Sequence, residues 1–99
     1  MKDLALANTK KYYVYILTNY TNSVLYTGIT NDLTRRIFEH KNAVETFSSK
    51  YRLYKLVWFK EFDSPLDAIR TEKRIKGWIR LKKIMLINKT NPNWKNLIY

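Results

Sequence analysis

The stretch "YYVYILTNYTNSVLYTGITNDLTRRIFEH", Tyr12 to His40, decides the fold. Its first eight residues, Tyr12–Asn19, are rich in β-branched and aromatic side chains and read as a strand. That strand is apolar on both faces, which puts it inside a sheet rather than at an edge. Polar Asn19–Ser23 is a turn and Val24–Ile29 a second strand, so the short connection makes the pair an antiparallel hairpin. Gly28, one of two glycines in the chain, sits near the end of the hairpin. Close backbone approach or a bulge is the usual reason for glycine there. Thr30 or Asn31 can cap a helix from about Asp32 to Lys41, which carries the only histidine, His40.

Beyond this stretch, Asn42–Arg52 is weakly patterned, with room for a helical turn or a loop. Leu53–Phe62 reads as a third strand. "DSPLDAIRTEKRIKG" then has the order of a helix: Ser64 as N-cap, Pro65 in the first position, Asp67 in the first turn, Gly77 as the stop. Trp78–Lys89 is a further basic amphipathic helix, followed by a tail expected to dock through Trp94, Leu97 and Tyr99. The order β-β-α-β-α-α makes an α+β fold, a small three-stranded antiparallel sheet flanked by helices. Residues 1–10 read as a flexible lead and 11–99 as one domain.

Composition narrows the classes. Ninety-nine residues suit a single domain. An apolar content of 45% suits a folded chain rather than a disordered one. The absence of cysteine excludes disulfides and thiolate zinc sites. No apolar run approaches the roughly 20 residues of a membrane span, and the start lacks a signal-peptide core, so the expected location is the cytoplasm and no membrane partner is expected. Nineteen Lys and Arg against eight acids give a net charge of +11, which biases a small domain toward nucleic acid or another anionic surface.

One acid falls in an unexpected place. At about 100° per residue, Ala68, Ile69, Ile75 and, if the helix continues, Ile79 share one arc, and Glu72 falls in its middle. An uncompensated buried carboxylate costs several kcal/mol. Either a neighbouring Arg pairs with it at the rim of the core, or it holds a divalent cation. Arg36 and His40, one turn apart, flank the Leu33/Ile37 stripe of the first helix. They could clamp a phosphate or simply belong to a basic surface helix. Tyr13 and Tyr15 share one face of the first strand, and Tyr26 and Gly28 one face of the second. Aromatic pairing across a hairpin is ordinary core packing. If the Tyr15 and Tyr26 hydroxyls point toward Arg36 and Glu72, the same residues form a site.

Together these residues resemble a GIY-YIG nuclease domain. "YVY" (Tyr13–Tyr15) stands for the first motif and "YTG" (Tyr26–Gly28) for the second, with motif tyrosines eleven apart. Arg36 follows Gly28 by eight residues and His40 comes one turn later. Glu72 in "AIRTEKRIKGW" is the helical glutamate, and Asn88 or Asn91 could be the downstream asparagine. The match runs from about Tyr12 to Trp94. "TEKRIKGW" and "NPNW" resemble the small stand-alone members of the superfamily. Two departures stand out: the first motif lacks its glycine, and Ile29 stands where the repair-nuclease branch has a lysine.

The resemblance implies metal-assisted hydrolysis of phosphodiester bonds in DNA, with RNA as an alternative substrate, low sequence specificity, and a role in DNA repair or processing. Glu72 would hold one Mg²⁺ or Mn²⁺, weakly without nucleic acid, because one carboxylate leaves most ligands to water and phosphate. Arg36 would neutralise charge on the phosphoryl group. Tyr15, Tyr26 or His40 would handle the proton of the attacking water. A phenolate at pH 7 requires a pKa shift of about three, roughly 4 kcal/mol, whereas an imidazole requires none. Gly28 would let the backbone lie low beneath substrate, and Lys73, Arg74, Lys76 and Arg80 would hold phosphates. Targeting could use a homodimer or a protein partner. Two rival readings stay open: a nucleic-acid-binding module without turnover, and a basic structural domain with a buried Glu72–Arg36 ion pair.

Overall fold

The computed structural model describes residues 10–42 and 52–98. The expected weak segment after the first helix therefore lies largely outside the described residues, as do nearly all of the lead and Tyr99. The β-branched and aromatic run forms β1 (Tyr12–Thr18), and its hairpin partner is β2 (Leu25–Thr30). Helix α1 (Leu33–Asn42) follows, then β3 (Lys55–Phe62), α2 (Pro65–Lys76) and α3 (Arg80–Thr90). This is the expected β-β-α-β-α-α order, and the chain is an α+β fold built on a three-stranded antiparallel sheet.

The strand order is β2-β1-β3, so β1 is central, as its two apolar faces require. Alternation splits β1 between two layers. Val14 and Ile16 pack with Val57, Trp58, Ala68, Ile75 and Ile87, under α2 and α3. Tyr15 and Leu17 pack with Ile37, Leu53 and Leu56, under α1. The β1–β3 register steps from Ile16↔Trp58 to Leu17↔Leu56, leaving Val57 as the extra residue of a bulge. That lets Val57 and Trp58 enter the same core cluster.

Local chemistry sets the helix ends, not always as expected. Asp32, rather than Thr30 or Asn31, caps α1: its Oδ1 accepts from the Arg35 amide at 3.1 Å, while Thr30 Oγ1 accepts from the Asp32 amide. Ser64 caps α2 as read, accepting from the Asp67 amide at 3.3 Å. Gly77 ends α2 with φ −81°, in the right-handed region, and donates to the carbonyls of Lys73 and Arg74. Ile79 is extended (φ −70°, ψ 159°), so α3 starts at Arg80 and not at Trp78. The break removes Ile79 from the arc of α2, where it was expected; it is 69% exposed, and Ile69 is also exposed.

The tail docks through Trp94, as expected, but otherwise through backbone, Asn96 and Ile98 rather than the Leu97 side chain. The Leu97 amide donates to the Leu56 carbonyl at 2.8 Å, and Asn96 Oδ1 accepts from the Leu56 amide at 3.0 Å. Leu97's side chain stays exposed, while Ile98 packs on the Tyr15 cluster and Trp94 on the Val14 cluster. These bonds cover part of the outer edge of β3, which an edge strand otherwise leaves unsatisfied.

Candidate active site

Tyr15 stands at the centre. It lies opposite Gly28 in the β1–β2 register and is 1% exposed. A Cβ on Gly28 would fall 3.0 Å from Tyr15 Cε1 and closer still to Cζ and the hydroxyl. Glycine is required there because the tyrosine ring fills the space a side chain would take. Gly28 is itself buried, and the close approach the sequence suggested for it is, in the structure, to the Tyr15 ring.

The Tyr15 hydroxyl is held from two positions on α1. Arg36 Nε donates to it at 3.4 Å, and it lies 3.1 Å from His40 Nε2. Because Arg36 supplies the incoming hydrogen, the hydroxyl's own proton is available to His40. The two contacts share one face of α1 because residues four apart do. His40 is 4% exposed, edge-on to Tyr26 at 5.2 Å between centroids and to Tyr15 at 6.1 Å. Burial first, and then the Arg36 charge, push its pKa below 6.5, so the imidazole is neutral at pH 7 and can accept. Burial raises the Tyr15 pKa, against the Arg36 hydrogen bond and charge, which lower it. A free phenolate is therefore disfavoured in the protein alone.

Glu72 is buried on the inner face of α2, 8% exposed, beside Thr71. Its negative charge reaches Tyr15 and helps to raise that pKa. Its ion-pair partner is Lys76, at 2.9 Å one turn along α2. The Glu72–Arg36 pair of the rival structural-domain reading does not form: Arg36 pairs with Glu39 at 3.2 Å. Hydrogen bonding to Glu72 and its charge raise the Lys76 pKa. Lys83 is buried enough, and near enough to Lys76, for its pKa to fall.

The structure thus gathers Tyr15, Tyr26, Arg36 and His40 in one cluster and sets Glu72 within electrostatic reach. Other expected residues carry internal contacts. Asn91, 6% exposed, donates to the carbonyls of Val57 and Lys95 and accepts from the Lys95 amide. Asn88 accepts from Trp94 Nε1 at 2.7 Å. Both asparagines secure the tail. Arg80 forks onto the carbonyls of Asn22 and Ser23, at 2.7 and 3.0 Å, and ties α3 to the hairpin turn. Of the four basic residues read as phosphate holders, Lys73 and Arg74 lie exposed on α2, while Lys76 and Arg80 already carry internal contacts. Two partners were not anticipated from sequence: Glu39 for Arg36 and Lys76 for Glu72. Their i,i+3 and i,i+4 spacings are the signal that could have found them.

The donor set bears on a divalent cation. Among the described residues no three His, Cys, Asp or Glu side chains converge as a metal cage. Glu72 is a single carboxylate, which suits a hard cation that draws its remaining ligands from water and substrate phosphate, and such a cation would have to displace Lys76 from it. Among the described residues no helix is long and apolar enough to cross a membrane.

Comparison with known proteins gives the family. Residues 11–93 match the model of the GIY-YIG catalytic domain. A UPF0213 protein of Staphylococcus saprophyticus is 37% identical over 79 residues, covering 79% of this chain and 95% of that protein. One from Clostridium perfringens is 38% identical over 85 residues, covering 85% and 90%. The solution NMR structure of a UPF0213 protein from Bacillus halodurans aligns with a TM-score of 0.57 at 35% identity, over 87% of this chain and 92% of that one. With the family model spanning both strands of the hairpin, Arg36, His40 and Glu72, the chain belongs to the GIY-YIG domain family.

Proposed function

We propose that this protein is a divalent-metal-dependent endonuclease that hydrolyses phosphodiester bonds in DNA with low sequence specificity, acting in the cytoplasm in repair or processing. The observation that carries the reading is the buried Tyr15 hydroxyl, bonded to Arg36 and His40 from α1 and facing the charge of Glu72 from α2. Three separate elements supply these groups, and a core has no packing need for such a set. Glu72 would hold one Mg²⁺ or Mn²⁺, which supplies charge stabilisation at the phosphate. Arg36, partly exposed, lies where a phosphoryl oxygen could take a second guanidinium hydrogen bond.

The hydrogen-bond chain suggests how the water's proton leaves. It passes to the Tyr15 oxygen as the Tyr15 proton passes to His40 Nε2. This avoids a free phenolate, which burial opposes, and uses an imidazole kept neutral by its surroundings. Tyr26 packs against both rings and sets their orientation. Lys73 and Arg74 would hold the flanking backbone.

A second reading has one observation in its favour. Lys76 already neutralises Glu72, as it would in a module that binds nucleic acid without turnover. A cleavage panel of duplex, flapped, nicked and single-stranded DNA, and RNA, with Mn²⁺, separates the two. The expected outcome is nicking by the parent that disappears in Glu72→Ala and Arg36→Ala, with both variants folded by circular dichroism. Equal cutting by parent and variants, or salt-sensitive binding with no cutting under any divalent metal, overturns the endonuclease reading.

A further inference from the structure

The hairpin turn, the end of α1 and the approach to β3 enclose a depression of about 430 Å³, lined in part by Tyr20, Lys41, Arg52, Tyr54 and Lys55. That volume lies within the roughly 300–1,000 Å³ of ligand clefts. Among the described residues no acid lines it, whereas the depression beside Tyr13 and Phe59 carries Asp32 and Glu61. Tyr20 is 91% exposed, so its ring contributes almost nothing to the core. A neighbouring depression of about 200 Å³ shares Lys41 and Tyr54 and adds Phe38, itself 65% exposed. Exposed Tyr20 and Phe38, half-buried Tyr54 and the cations thus line a track of two depressions that share Lys41 and Tyr54. Every nucleobase offers a π-face to such rings, and its phosphate suits the cations between them. In a duplex those faces are stacked on one another, so the track matches single strands.

We infer that this track binds single-stranded DNA, with bases stacked on Tyr20 and Tyr54 and phosphates on Lys41, Arg52 and Lys55. Lys41 directly follows His40, so one side of the track stands on the helix that also carries Arg36 and His40. The inference extends the nuclease reading to a substrate with an unpaired segment, such as a flap or a gap. Its binding step does not depend on turnover.

The test is fluorescence anisotropy of the full chain in EDTA with a labelled oligothymidylate and a duplex of equal length. Tyr20→Ala should weaken single-strand affinity by about fivefold or more, since one stacked base is worth about 1–3 kcal/mol. Duplex affinity should hold, and Tyr20→Phe should keep the parent's affinity. Lys41→Gln and Lys55→Gln should each reduce the salt slope by about 0.7. Unchanged affinity in Tyr20→Ala, an equal loss on both probes, or an unchanged slope overturns the proposal. A parent that cuts nothing yet shows Tyr20-dependent binding keeps this inference and loses the nuclease. A parent that cuts while Tyr20→Ala binds equally does the reverse.

Discussion

Two glycines carry opposite predictions. At Gly28 the ring of Tyr15 occupies the side-chain space, so Gly28→Ala should lower stability by about 1–3 kcal/mol through overpacking, measured by urea unfolding. At Gly77 a Cβ meets only ordinary contacts, the nearest the Arg74 carbonyl at 3.6 Å, and φ is −81°. Gly77→Ala should therefore raise stability by about 0.4–1 kcal/mol by restricting the unfolded chain. His40 adds a pH dependence. Its pKa is lowered in the folded state, so the unfolded chain, titrating near 6.5, binds more protons as the medium acidifies. Its contribution to stability is fully present above about pH 6.5 and is lost as pH falls through the folded pKa. Urea midpoints should drop between pH 7.5 and 5, and His40→Asn should flatten that drop. If the midpoints of parent and variant fall in parallel, carboxylates rather than His40 set the acid limb.

Among the elements, side chains that bond to backbone tie the molecule together. Arg80 holds the β1–β2 turn against α3, and Asn91 joins β3 to the tail through three hydrogen bonds. Asn91→Ala would leave the buried Val57 carbonyl without that donor, and it should cost about 1–3 kcal/mol. Hydrogen exchange should show the loss concentrated in the amides of Lys95, Leu97 and Leu56, where the tail meets the sheet. A uniform loss of protection would mean that the tail is not a separate anchored segment. Helix α1 serves both core and site, since Ile37 packs inward while Arg36 and His40 reach the Tyr15 hydroxyl from the same surface. That explains why a helix beginning as an ordinary amphipathic segment carries its histidine inward.

For the molecule as a whole, charge and metal separate attachment from chemistry. With a net charge of +11, binding to DNA should weaken steeply as salt rises, whatever the catalytic state. Chelation should abolish cleavage while leaving most of the binding intact, because among the described residues Glu72 is the buried acid of the site. A cleavage assay paired with anisotropy, each with and without EDTA, checks both at once. Loss of binding together with cleavage would show that the cation bridges protein and substrate in the ground state.

Much of the fold was legible from the chain. The central position of β1 follows from an apolar run without alternation, and the Ser64–Pro65 start of α2 from capping chemistry. Glu72's burial follows from helical geometry, which is local and periodic. Partners were less legible, because they depend on which long side chain reaches an acid first. Glu72 pairs with Lys76 rather than Arg36, and Arg36 with Glu39, through spacings within single helices. In sequence Asn88 or Asn91 reads as the supporting asparagine of the resemblance and Arg80 as a phosphate holder; their internal hydrogen bonds emerge only where β3, the tail and the hairpin turn meet. The order of elements, the family resemblance and the residue types of the proposed phosphate site all rest on pattern and spacing, so they can be read from the chain alone. That Gly28 exists to seat Tyr15, and that one phenol is shared by Arg36 and His40, emerges only on folding. Those contacts join residues 13 to 25 positions apart, and packing rather than local preference sets their distances.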